Sequence, residues 1–404
     1  MLEHGSAASH VVIVGAGPAG TAAAIELVAA GHRVTVLDKA IFPRDKCCGD
    51  GLTAGALRHL DHLGLEPGRV ASWKPVTEVF ITRPSGASMH FPLPSGPGQF
   101  AATATREDLD AALVERAIAV GADVRQGRSM QDIALYDDHV VVVTDDGVVV
   151  ADWCIGADGM WSPTRKALGL GTRGYLGEWH AFRQYFGGVG PRAAEELFVW
   201  FEPDILPGYL WSFPLPGGRA NVGFGVLRTT HRTRDMAGLW ADLLQRPHVR
   251  EVLGEAATPE GPHKAWPIPA RVGELPLTAH RTFFVGDASG ACDPMTGEGI
   301  GQALQTGIGA ARAIIDAGTS PAAAAAAYER STETELGVDM RFAARLGNVL
   351  KTRWGAEWSL RTAGMTDWTS RNFARWLFED YPRAVLGTPG RWRRDLFTQP
   401  GAFD

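Results

Sequence analysis

Three features of this 404-residue chain predict an α/β fold, α+β when taken over its whole length. An almost wholly apolar strand at residues 10–14, a glycine-rich turn, an alanine-rich helix over 18–30 and a second strand at 33–37 follow one another. A βαβ run of this kind implies a parallel sheet buried on both faces. Residues 196–226 alternate strand and turn as an antiparallel sheet would, and beyond residue 330 the pattern is helical and rich in aromatics.

After Lys39 the chain enters an irregular stretch, residues 42–53, rich in Gly, Pro, Cys and charge, and a helix is predicted over 54–63. Strand alternation resumes at 76–82 and 88–91, and a helix covers 106–120. Residues 140–144 and 148–151 form a hairpin turning at Asp145, Asp146 and Gly147. Residues 281–285 read as a buried strand that leads through another glycine-rich turn into a helix over about 299–317.

Composition narrows the function classes. The chain is 45% hydrophobic and 21% charged, as in an ordinary globular protein, and its net charge of -6 opposes general nucleic-acid binding. Cys47, Cys48, Cys154 and Cys292 are too few for a disulfide framework. The twelve histidines show no ligand spacing, so no metal site is expected. Without a signal-like start or an apolar run of roughly 18–20 residues, the expectation is a soluble cytoplasmic protein.

Gly15, Gly17 and Gly20, with Pro18 and Ala19 between the last two, fit GxGxxG between a strand and a helix. The first glycine makes the turn, the second lets backbone approach a pyrophosphate and the third allows close helix–strand packing. Asp38 ends the second strand at the distance expected for an acid that binds ribose hydroxyls. Two more strings follow strands: Gly156, Ala157, Asp158 and Gly159 with Ser162 and Arg165, then Gly286 and Asp287 with Pro294, Gly297, Gly299 and Gly301. An acid at a strand's carboxyl end can accept from ribityl hydroxyls, and a following helix N-terminus can stabilise negative charge on a reduced flavin.

These strings resemble the FAD motifs of the single-Rossmann flavoenzyme superfamily that includes aromatic hydroxylases, flavin-dependent halogenases and geranylgeranyl reductases. The resemblance implies FAD held by Gly15, Gly17, Ala19, Gly20, Asp38, Lys39 and Arg44 on one side. It adds Cys48, Gly49, Arg106, Asp158 and Gly159, then Gly286, Asp287, Pro294, Gly297, Gly299 and Ile300. Arg106 and Asp110 match a family segment whose arginine contacts the cofactor's phosphates. No second GxGxxG stands between a strand and a helix, so the reductant is expected to dock transiently as NAD(P)H or to come from an electron-donor protein.

Two local patterns point to a branch. The run from Phe42 to Leu52 resembles the segment of geranylgeranyl and related isoprenoid reductases where a Cys-Gly lies near the flavin, with Cys48 in the family cysteine's place. The run from Pro207 to Pro214, followed by residues 221–225, is similar to the YxWxFP…NVGxG signature of the same reductases. The resemblance makes Tyr209, Trp211, Phe213 and Gly223 substrate residues, and Cys48, Tyr209 and Trp211 catalytic ones. Tyr209, Trp211 and Phe213 alternate by two and so share a strand face, which would either line a lipid channel or pack the core. For a polyprenyl substrate, affinity must come from apolar burial at about 25 cal/mol per Å².

Cys48, with an ordinary thiol pKa near roughly 8.5, either supplies or orders the proton for C=C reduction or is a small residue shaping the pocket. A strained Cys47–Cys48 disulfide is a third option. The leading expectation is an FAD-dependent reductase saturating C=C bonds of a geranylgeranyl-type or prenylquinone substrate. The alternative is an FAD monooxygenase or halogenase acting on an aromatic or polyketide-like metabolite. A halogenase would need WxWxIP, of which the first Trp and the Ile are absent, and a lysine; Lys74 reads as a loop residue. A flavin-bearing lipid-binding protein without turnover is the hypothesis from another class.

Arg183 and Tyr185 alternate on a strand, as edge-strand surface residues or as contacts to a polar head group, and Cys154 and Cys292 are read as packing residues. The FAD-binding domain is expected over 1–75, 101–168 and 276–330. The substrate-binding sheet domain is expected over 76–100 and 169–275, and a helical region over 331–404. Trp354, Trp358, Trp368, Trp376 and Trp392 stand in the last among Arg353, Arg361, Arg371, Arg375, Arg391, Arg393 and Arg394. That tail is either a helical cap on the substrate domain or a peripheral contact with a membrane.

Overall fold

The computed structural model describes residues 8–94, 98–228, 235–391 and 402–403. Its centre is a six-stranded sheet in the order Thr278–Ala279, Thr282–Phe284, Trp153–Gly156, His10–Val14, Arg33–Asp38, Asp123–Gln126. All neighbours are parallel except the first pair. Val11, Val12 and Ile13 are fully buried, as a strand covered on both faces requires. Helix Pro18–Ala29 carries no side-chain cap and buries nine residues, so its stability comes from packing between the sheet and helix Ile300–Ala317.

The second large sheet is the expected antiparallel one, extended. Trp179–Gly187 pairs on one side with Arg219–Leu227 and on the other with Thr258–Pro259 and Lys264–Ile268. The strands Tyr209–Leu215 and Leu197–Trp200 follow, and the latter joins Glu78–Thr82 in a parallel pairing. Arg183 and Tyr185 therefore stand on an interior strand, against the edge reading, and Arg183 is buried.

Other departures are short strands. Asp123–Gln126 closes the parallel sheet, Met130–Leu135 makes the hairpin three-stranded, and Lys74 forms a two-residue strand with Pro75 rather than a loop.

The C-terminal region is helical: Val338–Leu350, Arg353–Ala363 and Asp367–Leu377. These helices cap the antiparallel sheet, with Leu360 and Ala374 packing on Val79, Ile81 and Phe91, and Ala343 and Leu350 on Leu206 and Met295. Trp376 packs inward, whereas Trp354, Trp358 and Trp368 remain 74%, 51% and 62% exposed. Trp392, Arg393 and Arg394 lie outside the described residues. No described helix is long and apolar enough to cross a membrane, and no described cluster of His, Cys, Asp and Glu could hold a metal ion.

Candidate functional site

One elongated cavity of about 770 Å³ opens at the carboxyl ends of the parallel strands. Its near end is built by the first turn. Gly15 sits at φ +108°, and a Cβ there would lie 2.3 Å from the Ala157 carbonyl oxygen. A Cβ on Gly20 would reach within 1.9 Å of the Gly15 oxygen, so this glycine packs the turn and does not line the cavity. Gly17 does line it, and a Cβ there would meet only the Arg44 guanidinium, at 3.8 Å. The turn thus leaves an open cradle at a helix N-terminus beside a cation, which suits a pyrophosphate.

Asp38 ends its strand on this cavity and accepts the Ala16 and Ala40 N–H groups at 2.7 and 2.8 Å. Lys39 follows it on the wall. Arg44 and Arg106 converge on one buried carboxylate: Arg106 grips Asp110 through two bonds of 2.8 and 2.7 Å, and Arg44 meets the same group at 2.8 Å. The pair leaves an excess positive charge facing the cradle.

The far wall carries the two other motifs. Asp158 accepts from Ser162 at 2.6 Å and from the Thr164 N–H at 2.7 Å, so it also caps the short helix that follows. Asp287 faces the cavity beside Lys46 at 3.0 Å; burial works against its ionisation, but Lys46 holds its carboxyl below the usual range. Gly159, Gly286, Gly297, Gly299 and Ile300 line the same space, and the last begins helix Ile300–Ala317. Pro294 does not; its carbonyl accepts the indole N–H of Trp179, a wall residue, at 3.0 Å, so its place is behind the wall.

The other end is aromatic. Tyr209, Trp211 and Phe213 form a row with ring centroids 5.9 and 6.0 Å apart, and all three line the cavity. Opposite them lies the segment from Cys48 to Gly51. A Cβ on Gly49 would stand 3.5 Å from Phe213 and 3.6 Å from Trp211. Gly223 does not reach the cavity. It is the cross-strand partner of Trp211, and a Cβ there would lie 2.4 Å from the indole and 2.3 Å from the Phe182 oxygen. Its role is to make room for Trp211, and Gly225 lines the wall instead.

Cys47 and Cys48 are separate free thiols. Burial pushes Cys48 up to about 11 and Cys47 up to about 12, so both keep their protons at neutral pH. Cys154 and Cys292 are buried, as expected of packing residues, though the Cys292 sulfur also lies 3.5 Å from Asp287.

Two acids escaped the sequence reading. Asp50 is fully buried at φ 64°, and its carboxylate accepts from the Tyr185 hydroxyl at 2.7 Å, the Asn221 amide at 2.8 Å and the Arg106 N–H at 3.2 Å. Burial outweighs these donors and raises it to about 6. Asn221 in turn holds the Cys48 carbonyl at 2.8 Å and accepts the Trp211 indole N–H at 3.1 Å. Arg183 stacks over Tyr185 at 4.1 Å and pairs with Asp45, so it braces this network. Glu298 is the second acid, on the cavity wall between Gly297 and Gly299. Its position in a Gly-Glu-Gly string at a helix start was the available signal.

The cavity joins a pyrophosphate cradle to an aromatic wall, as a flavin dinucleotide requires. Residues 8–333 match the FAD binding domain family. The chain belongs to this family. It is an FAD-dependent oxidoreductase.

Within the family it is 35% identical over 337 residues to a menaquinone reductase of Mycolicibacterium smegmatis, covering 77% of each chain. It is 31% identical over 358 residues to digeranylgeranylglycerophospholipid reductase 2 of Methanopyrus kandleri, covering 84% of this chain and 86% of that one. Among solved structures, a geranylgeranyl bacteriochlorophyll reductase-like protein of Thermoplasma acidophilum superposes with a TM-score of 0.79 at 21% identity, over 95% of this chain and 99% of that one. A flavin-dependent halogenase shares the fold at TM-score 0.72 and 22% identity, over 95% of this chain and 76% of that one.

Proposed function

We propose that this flavoenzyme saturates C=C bonds of a polyprenyl substrate, a geranylgeranyl-type chain or the tail of a prenylated quinone. The carrying observation is the Tyr209–Trp211–Phe213 row facing Cys48 and Gly49 in the cavity that also holds the nucleotide cradle. Bound and reduced, FAD supplies a hydride. The chain's own residues present an apolar wall, exclude water and keep Cys48 as a neutral thiol. Menaquinone and digeranylgeranylglycerophospholipid reductases among the relatives support the substrate class. Lys74 speaks against halogenation, because it pairs with Glu195 at 2.8 Å and does not line the cavity.

In this reading residues 1–75, 101–168 and 276–330 carry the cofactor, and 76–100 with 169–275 carry the substrate wall. Electrons come transiently from NAD(P)H or a donor protein. Dithionite-reduced holoenzyme mixed anaerobically with geranylgeranyl diphosphate or a menaquinone should reoxidise, and the product should gain two hydrogens per bond. Reoxidation only on admitting oxygen, with a transient flavin-hydroperoxide absorbance, would assign a monooxygenase instead.

A peripheral membrane contact completes the proposal. In helix Arg353–Ala363, Ala356 and Leu360 are buried, while Trp354, Trp358 and Arg361 occupy the opposite face. An aromatic and cationic face suits the interface of an anionic bilayer. Vesicles containing phosphatidylglycerol should float the wild type, and the Trp354→Ser/Trp358→Ser variant should float several-fold less. Equal flotation would remove this contact from the proposal.

A further inference from the structure

We propose that Glu298 is a catalytic residue of this site, the carboxylic acid that delivers the proton accompanying hydride transfer to the substrate double bond. The nature of the reaction rests on the prenyl-reductase reading; the state of the carboxyl group does not.

Glu298 faces the cavity at the head of helix Ile300–Ala317. Two further carboxyl groups, Asp293 and Glu379, stand near it with the Arg383 guanidinium, which lies 3.5 Å from Asp293 and 3.4 Å from Glu379, while the neighbouring Arg58 is paired with Asp380. Asp293 is buried and Glu298 and Glu379 are part-buried, so three carboxylates around Arg383 would leave like charges facing one another with little water between them, and one group keeps a proton.

The hydrogen bonds decide which. Asp293 accepts the N–H groups of Met295 and Thr296, both at 2.8 Å. Glu379 accepts from the Thr53 hydroxyl at 2.8 Å and the Gln302 amide at 2.9 Å. Glu298 accepts only the Ile300 N–H, at 3.2 Å, among the described residues. It is the least compensated of the three. Burial, and then the Glu379 charge, push its carboxyl up to about 8, which leaves it neutral at pH 7; burial raises Glu379 as well, but Arg383, Thr53 and Gln302 act the other way there.

The other protonated groups facing this carboxyl are weaker acids. Burial holds Cys48 at about 11 and pushes Tyr209 and Cys292 above their ordinary range, and the Tyr209 proton is engaged by the Thr296 carbonyl. Asp50 titrates lower, near 6, and its oxygens are taken by three donors. Glu298 is therefore the strongest acid on this wall that still holds a proton at neutral pH. In the step, one alkene carbon takes the hydride of the reduced cofactor and the other takes the Glu298 proton. The alkene is reduced, the cofactor is oxidised, and the Glu298 carboxylate regains a proton from solvent.

Glu298→Gln holoenzyme with normal FAD content should saturate a prenyl test substrate more slowly than wild type in a single anaerobic turnover, by on the order of 10²-fold. The wild-type rate should fall as pH rises through about 8, where the acid is lost, while the variant's rate should not. Glu298→Asp should recover part of the rate. Without any substrate, infrared difference spectra of oxidised holoenzyme should show one protonated carboxyl band disappearing near pH 8 in wild type and missing in Glu298→Gln. Wild-type turnover matched by Glu298→Gln in rate and pH profile would overturn the role of Glu298 alone, as would the lack of such a band. No anaerobic turnover by wild type would overturn the reductase reading and this step with it, while the infrared band would still report the charge state of Glu298.

Discussion

Gly15→Ala should give a nearly colourless protein, with FAD retention at least an order of magnitude below wild type. The added Cβ must sit at φ +108° and 2.3 Å from the Ala157 oxygen. Left-handed strain costs about 1–2 kcal/mol and overpacking about 1–3 kcal/mol. The clash can be relieved only by parting the ends of strands His10–Val14 and Trp153–Gly156. Those ends are tied by the Ala157 N–H to the Val14 carbonyl at 2.8 Å, and the Gly15 N–H holds the turn to Leu37 of the neighbouring strand at 2.7 Å. The gap would open under the pyrophosphate cradle, and about 3 kcal/mol spent there is on the order of 10² in affinity. Gly31→Ala is the control: φ is +85° but nothing lies within 4 Å, so only the strain of about 1 kcal/mol remains and FAD stays bound. Flavin absorbance and thermal melting of the two variants decide the matter. A yellow Gly15→Ala protein that melts with Gly31→Ala would refute the clash.

What the sequence made legible follows from how local each signal is. The first βαβ unit announces itself because an apolar run, three spaced glycines and an acid lie within a few dozen residues. Asp123–Gln126 was invisible: it is an edge strand of four residues with alternating exposure, and it carries one strongly apolar side chain, Val124. The Tyr209, Trp211 and Phe213 face was legible from alternation, but Gly223 was not. Its place behind Trp211 depends on the register between two strands, which alternation does not contain. Arg183 was misplaced because an arginine on a strand ordinarily seeks water. Here Asp45, 138 residues earlier, neutralises it inside. Asp50 and Glu298 were missed for a related reason, since the full burial of Asp50 and the partial burial of Glu298 exist only once distant elements have closed over them.

Asp50→Ala should be the most destabilising single change in the aromatic half of the site, by about 3 kcal/mol or more, and should lower turnover as well. It strands the Tyr185 hydroxyl, one Asn221 N–H and the Arg106 N–H, each worth about 1–3 kcal/mol when left buried without a partner. It also puts alanine at φ 64°, where Asp and Asn are tolerated better. The functional loss travels through Asn221, whose two ends fix the Cys48 carbonyl and the Trp211 indole. Freed from Asp50, it no longer holds the cysteine segment against the aromatic row.

Asp50→Asn separates charge from shape. The carboxyl is raised from its ordinary 3.8 to about 6, so the folded state binds the extra proton between these values. Its contribution to stability is therefore complete below about pH 4 and is lost as pH rises through 6, a fall of about 3 kcal/mol. The amide has no such slope, so the stability of wild type minus that of Asp50→Asn should fall by about 3 kcal/mol from pH 4 to pH 7, whatever its starting value. Urea unfolding of both proteins across that range measures it. A constant or rising difference would mean that the folded state does not hold the extra proton, and that the Tyr185 and Asn221 donors offset its burial.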